Sequence, residues 1–199
     1  MELTTKQKQE IKAFAVKKYE TLHDTHGRQH AYRTANLAES IARREDANHK
    51  ICRYGALLHQ YHPEGAHQVR EYLLSIGVTS SFVEQIVHCV ECSEPETINR
   101  ANTIEARVVF DADKLQTLGP FGLVREISYR TATRNLGFKE CVDEARKLQD
   151  TMNRLIQTHT GKQIATDLMK QSTVILSSYD KWQRIAGEYP ECVSLDILH

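Results

Sequence analysis

Three stretches of the chain carry side chains that hold cations or move protons, each inside a run that is otherwise apolar: His30 in HGRQHAYRTANLAESIARRE, His59 with Gln60 in YGALLHQYHPEG, and Asp113 in VVFDADKLQTL. Ala56, Leu57 and Leu58 mark the end of a core helix, so the ring of His59 and the amide of Gln60 are delivered to a partly buried place. A polar group buried there costs on the order of 1 to 3 kcal/mol unless it finds a partner. His30 shares a stripe with Leu37 and Ile41. At about 100° per residue, Asp113 falls between Val109 and Ala106, with Phe110 and Thr117 flanking, and is expected to point inward. Arg107, Asp111 and Lys114 share a different sector, which reads as a solvated face. His30, His59 and Asp113 therefore either find separate partners in a core or converge on one cation, as bundles that project histidine and carboxylate inward do.

A second cluster competes for the metal reading. Cys89 and Cys92 in HCVEC form a CxxC with His88 beside them, but a structural zinc site needs four ligands and no second pair exists. Phe82, Ile86, Cys89 and Val90 fall on one helical stripe, so these cysteines read as small core residues.

Composition sets the context. At 199 residues the chain supports one full core, expected as a single domain over 1–199 with a C-terminal helix and tail at 177–199. Lysine plus arginine equals aspartate plus glutamate at 26 each, so no global field gathers it onto nucleic acid or an anionic membrane, and neither is an expected partner. The N-terminus is charged without an apolar stretch, and no run approaches the roughly 20 apolar residues of a membrane span. Five cysteines, an odd number, argue against a disulfide framework. A cytoplasmic location is expected.

The elements that must position these residues are helical almost throughout. Ile11, Phe14, Ala15, Tyr19 and Leu22 form a first stripe, opened by a capping box of Thr4 and Gln7. His30 to Ile41 form a second, Asp46 and Asn48 offer caps for a third that runs through His59, and Pro63 starts a fourth that Gly77 closes. Ser81 and Glu84 are expected to cap a fifth, ended by Glu94 and Pro95. A sixth opens near Asn102 and runs to Gly119 and Pro120. A short helix around FGLVREISYR, one carrying Val142, Ala145, Leu148, Met152 and Leu155, and a long one from Gly161 towards Trp182 complete an all-α domain of about nine helices.

With those residues in order, the chain resembles the HD-domain superfamily of metal-dependent phosphohydrolases. The family's order of histidine, then a histidine–aspartate pair, then aspartate on successive helices places His30 at the first ligand position, His59 at the second and Asp113 at the last, and THTGKQIATDL resembles the Thr, Gly, basic, Ala pattern of a bacterial subgroup of small HD hydrolases. The likeness covers roughly residues 20 to 176. It implies an HD-like helical bundle, a divalent ion and hydrolysis of a phosphate monoester or nucleotide. Gln60 stands where the family has the aspartate of its HD pair, so the resemblance implies a weakened metal site in which zinc, iron or manganese is favoured over magnesium. Pro63 departs from the family as well, and His62 and Glu64 beside it are candidates to act near the scissile phosphate. A further family histidine falls on His88 or Cys92, depending on register.

Phosphate would meet Arg33 one turn after His30, Lys114 next to Asp113, or His26 at the start of the same helix as His30. For Arg33 and Lys114 the competing reading is a solvated helix face, and for Lys114 the company of Arg107 favours it. The expected partner is a small phosphorylated molecule. Two other functions fit the same residues: a degenerate relative that binds such a ligand without turnover, and a helical interaction module. Oligomeric state is not written in the sequence.

Overall fold

The structure is a computed structural model and describes residues 2–186, so residues 187–199 of the C-terminal helix and tail expected at 177–199 lie outside the described residues. Within them the chain is all helical, with nine α-helices and short 3-10 turns. They are α1 Thr5–Tyr19, α2 Arg28–Arg44, α3 His49–Leu58, α4 His62–Ser75, α5 Ser80–Glu91, α6 Ile104–Lys114, α7 Gly119–Arg134, α8 Phe138–Leu155 and α9 His159–Ala186. No helix among the described residues is long and apolar enough to cross a membrane.

Local chemistry sets most of the boundaries. Thr4 and Gln7 form the capping box of α1, the Gln7 amide donating to Thr4 Oγ1 at 3.2 Å and the Thr4 amide to Gln7 Oε1 at 3.0 Å. Asn48 caps α3 by accepting from the amides of Lys50 and Ile51. Gly77, with φ of 76°, closes α4 in the left-handed region. The fifth helix differs from expectation: Thr79 is its N-cap, and Ser81 lies inside the first turn. Gly119 and Pro120 also do more than stop a helix. Gly119 turns the chain with φ of 72°, Pro120 sits in the first turn of α7, and that helix runs on to Arg134, where Asn135 ends it with φ of 51°.

The site rests on α2, α3 and α6. Helix α2 buries Ala31, Ala35, Ala38 and Ala42, small residues that let it lie close to α3 and α6. On α3, a β-carbon at Gly55 would stand 2.7 Å from the Cys89 β-carbon, so α3 and α5 meet at backbone distance. Cys89 and Cys92 are buried there, and the only histidine, cysteine and acid grouping able to hold an ion among the described residues excludes them.

Helix α6 is the centre of the bundle, packed on α2, α3, α5 and α9. Every residue from Val108 to Lys114 is buried. This corrects the helical-wheel expectation for Asp111 and Lys114, which share no solvated face. A helix covered on all sides has no polar stripe, and its charges face inward wherever a partner meets them. The partner of Asp111 is the start of α9. Its carboxylate accepts from the amides of Gln157 at 2.8 Å and Thr158 at 2.7 Å and from Thr158 Oγ1 at 2.6 Å. Any β-carbon at Gly161 would come within 2.4 Å of Asp111 Oδ2, which gives the THTG stretch its physical reason.

Candidate metal and anion site

His30 on α2, His59 in the 3-10 turn after α3, and Asp113 near the end of α6 bring their donor atoms to one point. His30 Nε2 lies 3.2 Å from His59 Nε2 and 3.1 Å from Asp113 Oδ1, and His59 Nε2 lies 3.5 Å from the same oxygen. Zinc bonds of about 2.0 to 2.2 Å put the corners of a tetrahedral site roughly 3.3 to 3.6 Å apart, so these three atoms already have close to the spacing of one tetrahedral face. The donor set fits a borderline divalent ion.

The surrounding hydrogen bonds decide which nitrogens are bare. His59 Nδ1 is 2.6 Å from the carbonyl of Ala56, an acceptor only, so it carries a proton and leaves Nε2 free in the neutral ring. Tyr19 flanks that contact, its hydroxyl donating to the Leu57 carbonyl at 3.0 Å. Gln60 Nε2 is 3.0 Å from His59 Nε2, so the amide donates into the site. His30 Nδ1 has two neighbours of opposite character, an Arg125 nitrogen at 3.0 Å and Gln116 Oε1 at 3.3 Å.

Asp113 divides its oxygens. Oδ1 faces the histidines, and Oδ2 accepts from Lys114 Nζ at 2.7 Å. Burial would raise the Asp113 carboxyl, but Lys114, His59 and His30 outweigh it and hold it well below the usual carboxylate range. For Lys114 burial works downward, and Asp113 with Glu94 reverses the sign. His30 is lowered by burial, which Asp113 only partly offsets. The triad is thus poised with a charged acid and an imidazole that prefers to be neutral.

A cleft of about 500 Å³ opens beside it, lined by Gln60, Asp113 and Lys114 on one side and by Arg125, Glu126, Tyr129 and Arg130 of α7 on another. His26 and His62 are in its wall. His26 is lowered to about 4 by burial, with Arg125 and His30 adding to it, so it is a neutral group near pH 7. Nδ1 of His62 lies 3.0 Å from Glu94 Oε1, and Glu94, lowered by His62 and Lys114 against its burial, is 3.4 Å from Lys114 Nζ. The backbone of His62 is held at φ 56° and ψ 174°, a region that side chains rarely adopt, at a strain of about 1 to 3 kcal/mol.

The sequence candidates separate accordingly. His30, His59, Gln60 and Asp113 meet at the triad, and Gln60, His62, His26 and Lys114 reach the cleft. Glu64 is exposed on α4 and is not in the cleft wall. Arg33 is exposed on α2, its guanidinium donating to Gln116 Oε1 at 3.2 Å and lying 5.0 Å from the Phe121 ring centre, outside the wall. His88 is held by the Asn102 amide at 3.4 Å, away from the triad. Sequence reasoning missed Glu94, Gln116, Arg125, Glu126 and Arg130. Their signal was faint: FGLVREISYR reads only as a short helix, whereas α7 buries Arg125, Glu126 and Arg130.

Comparison with known proteins agrees with the fold. Residues 27–118, a little under half of the chain, match the HD domain family. No curated protein matches the sequence. Among solved structures, Bacillus subtilis YpgQ in complex with ADP is similar, with a TM-score of 0.73 at 21% identity over 88% of this chain and 94% of that one. An HD-superfamily hydrolase from Bacillus thuringiensis gives 0.70 at 22% identity over 90% and 97%. A predicted HD-superfamily hydrolase from an uncultured Thermotogales bacterium gives 0.62 at 18% identity over 90% and 92%. At these identities the likeness is one of fold.

Proposed function

Because the chain carries an HD domain over residues 27–118, we propose that it is a metal-dependent phosphohydrolase acting on a phosphate monoester or nucleotide. The observation that carries this reading is the near-tetrahedral spacing of His30 Nε2, His59 Nε2 and Asp113 Oδ1 at the edge of a cleft lined by Lys114, Arg125 and Arg130 with their paired acids. His30, His59 and Asp113 would hold zinc, iron or manganese in preference to magnesium, since two imidazoles suit borderline ions. Such an ion supplies charge neutralisation and Lewis acidity at a phosphoryl oxygen.

The rest is the work of the chain's own residues. Lys114 and the α7 arginines give the cleft its positive charge, and Arg125 and Arg130 can grip phosphate oxygens through paired N–H groups. His62, oriented by Glu94 on Nδ1, has Nε2 left to give or take a proton at the phosphoryl group. The ADP held by a structural relative favours a nucleotide among phosphate esters.

A second reading is favoured by Gln60. Its amide donates to His59 Nε2 where an acid would add a ligand and a charge, which suits a protein that binds the phosphorylated ligand without turnover. Phosphate release from a panel of nucleotides and monoesters, with zinc, manganese or cobalt added, separates the two. The first reading expects release that requires metal and disappears in His59→Ala. Ligand binding with no release under any metal would overturn it in favour of the second.

A further inference from the structure

We propose that Arg125 couples cation loading at the triad to anion binding in the cleft, by exchanging places with Gln116 at His30 Nδ1. This rests on the metal-binding reading above. In the structure the hydrogen bonds close without an ion. Arg125 can only donate, so His30 Nδ1 accepts from it at 3.0 Å, and the ring's single proton lies on Nε2, directed at Asp113 Oδ1 at 3.1 Å. Gln60 and Ala56 complete the arrangement at His59.

A cation on the triad needs His30 Nε2 bare. The neutral ring then carries its proton on Nδ1, where two hydrogens, one on the ring and one on Arg125, would face each other across 3.0 Å. Gln116 Oε1, 3.3 Å away, is the acceptor already in place for the new N–H. It is fixed there because Gln116 Nε2 donates to Thr34 Oγ1 at 2.7 Å. Arg125 must turn from the ring, and the cleft is the open side.

The guanidinium is equipped for that role. It is buried, its Nε has no hydrogen-bond partner, and its second terminal nitrogen is only 3.3 Å from Glu126 Oε1. Arg130 Nε and one terminal nitrogen are also buried without hydrogen bonds beside the same cleft, held only by ion pairs of 3.6 Å with Glu126 and Glu144. Buried arginine donors left without hydrogen bonds in a wall of this kind suit a tetrahedral oxyanion. Arg125 released by the cation supplies the grip, and by reciprocity a bound anion that holds Arg125 away from His30 tightens the cation.

Long-range proton–nitrogen spectra of 15N-histidine-labelled protein test the exchange, because they tell a protonated ring nitrogen from a bare one. In metal-free wild-type protein His30 should carry its proton on Nε2 and His59 on Nδ1. Zinc should move the His30 proton to Nδ1 and leave that of His59 in place. Arg125→Met should raise zinc affinity several-fold in a chelator competition, where a merely structural role would lower it, and should weaken the rise in zinc affinity given by sulfate. Gln116→Leu should lower zinc affinity. A His30 proton on Nδ1 before zinc is added, or one that stays on Nε2 with zinc bound, would overturn the coupling and leave the metal site standing. Absence of zinc binding to the wild-type protein would remove both.

Discussion

The Nε2 atoms of His30 and His59 lie 3.2 Å apart in two side chains that are wholly buried. At that distance in a dry core two ring protons would clash, so at most one of the two nitrogens carries a hydrogen. In the metal-free protein the Nε2 hydrogen of His30 is directed at Asp113 Oδ1 and the Gln60 amide donates to Nε2 of His59, and a cation can take up both lone pairs without rebuilding the backbone. The neighbouring acid then matters for its charge, and its helix mate for something else.

Asp113 and Asp111 should separate in function, while replacing either should cost stability. Asp113→Asn leaves the Lys114 ammonium without its nearer carboxylate, at an expected cost of about 3 to 5 kcal/mol, and should lower zinc affinity by at least tenfold. Asp111→Asn turns an amide N–H₂ towards the donors of Gln157 and Thr158, at about 1 to 3 kcal/mol, while zinc affinity stays within a few-fold of wild type. Chemical denaturation and chelator competition on both variants give the comparison. Equal loss of zinc in the two would contradict the site.

Gln60→Asp restores an acid beside His59 and should change stability with opposite signs in the two states. Without metal, a second carboxylate near Asp113 in a poorly solvated place destabilises the fold. With zinc at a hundredfold excess over its dissociation constant, binding adds about 2.7 kcal/mol, and the variant should reach that point at lower zinc than the parent. A melting temperature that tracks the parent with and without zinc would place Gln60 outside the site's energetics.

His62→Gly should relieve backbone strain. The φ of 56° and ψ of 174° suit glycine, so the variant is expected to match or exceed the parent in stability by up to about 1 kcal/mol, despite losing the contact with Glu94. Its phosphate release should fall at least tenfold. A clear loss of stability would mean that the His62 and Glu94 pair, not the site's chemistry, accounts for the strained backbone.

Glu45 gives a pH signature remote from the triad. Burial would raise its carboxyl, but the hydroxyl and amide of Thr160 lower it below its ordinary value. A depressed carboxyl stabilises the fold above its unfolded value of roughly 4.5, and the stabilisation is lost as pH falls through the lower folded value. Glu45→Gln should therefore be less stable than the parent at pH 7 and converge with it in acid. Parallel curves from pH 7 to pH 3 would contradict the pairing of α2 with α9.

The sequence made the bundle and the triad legible because His30, His59 and Asp113 each interrupt a helical run of apolar residues. Asp111 and Lys114 were misread for a physical reason. A wheel assumes one buried face, and α6 is covered on every side, with Thr158, Asp113 and Glu94 neutralising what the wheel takes for a polar stripe. Arg125 and Arg130 were out of reach because they belong to a helix whose length and burial depend on packing against α8 and α9. Gly119 and Pro120 likewise read as a stop, since the left-handed turn that makes them a start requires φ above zero.

The most direct test of the central claim is cobalt titration of the wild-type protein followed by visible absorption, since cobalt replaces zinc and reports its coordination. The account predicts one equivalent bound with the intense bands of a near-tetrahedral site, lost in each of His30→Ala, His59→Ala and Asp113→Ala and kept in Asp111→Asn. Cobalt that binds unchanged in His59→Ala, or no cobalt bound by the wild-type protein at all, would contradict it.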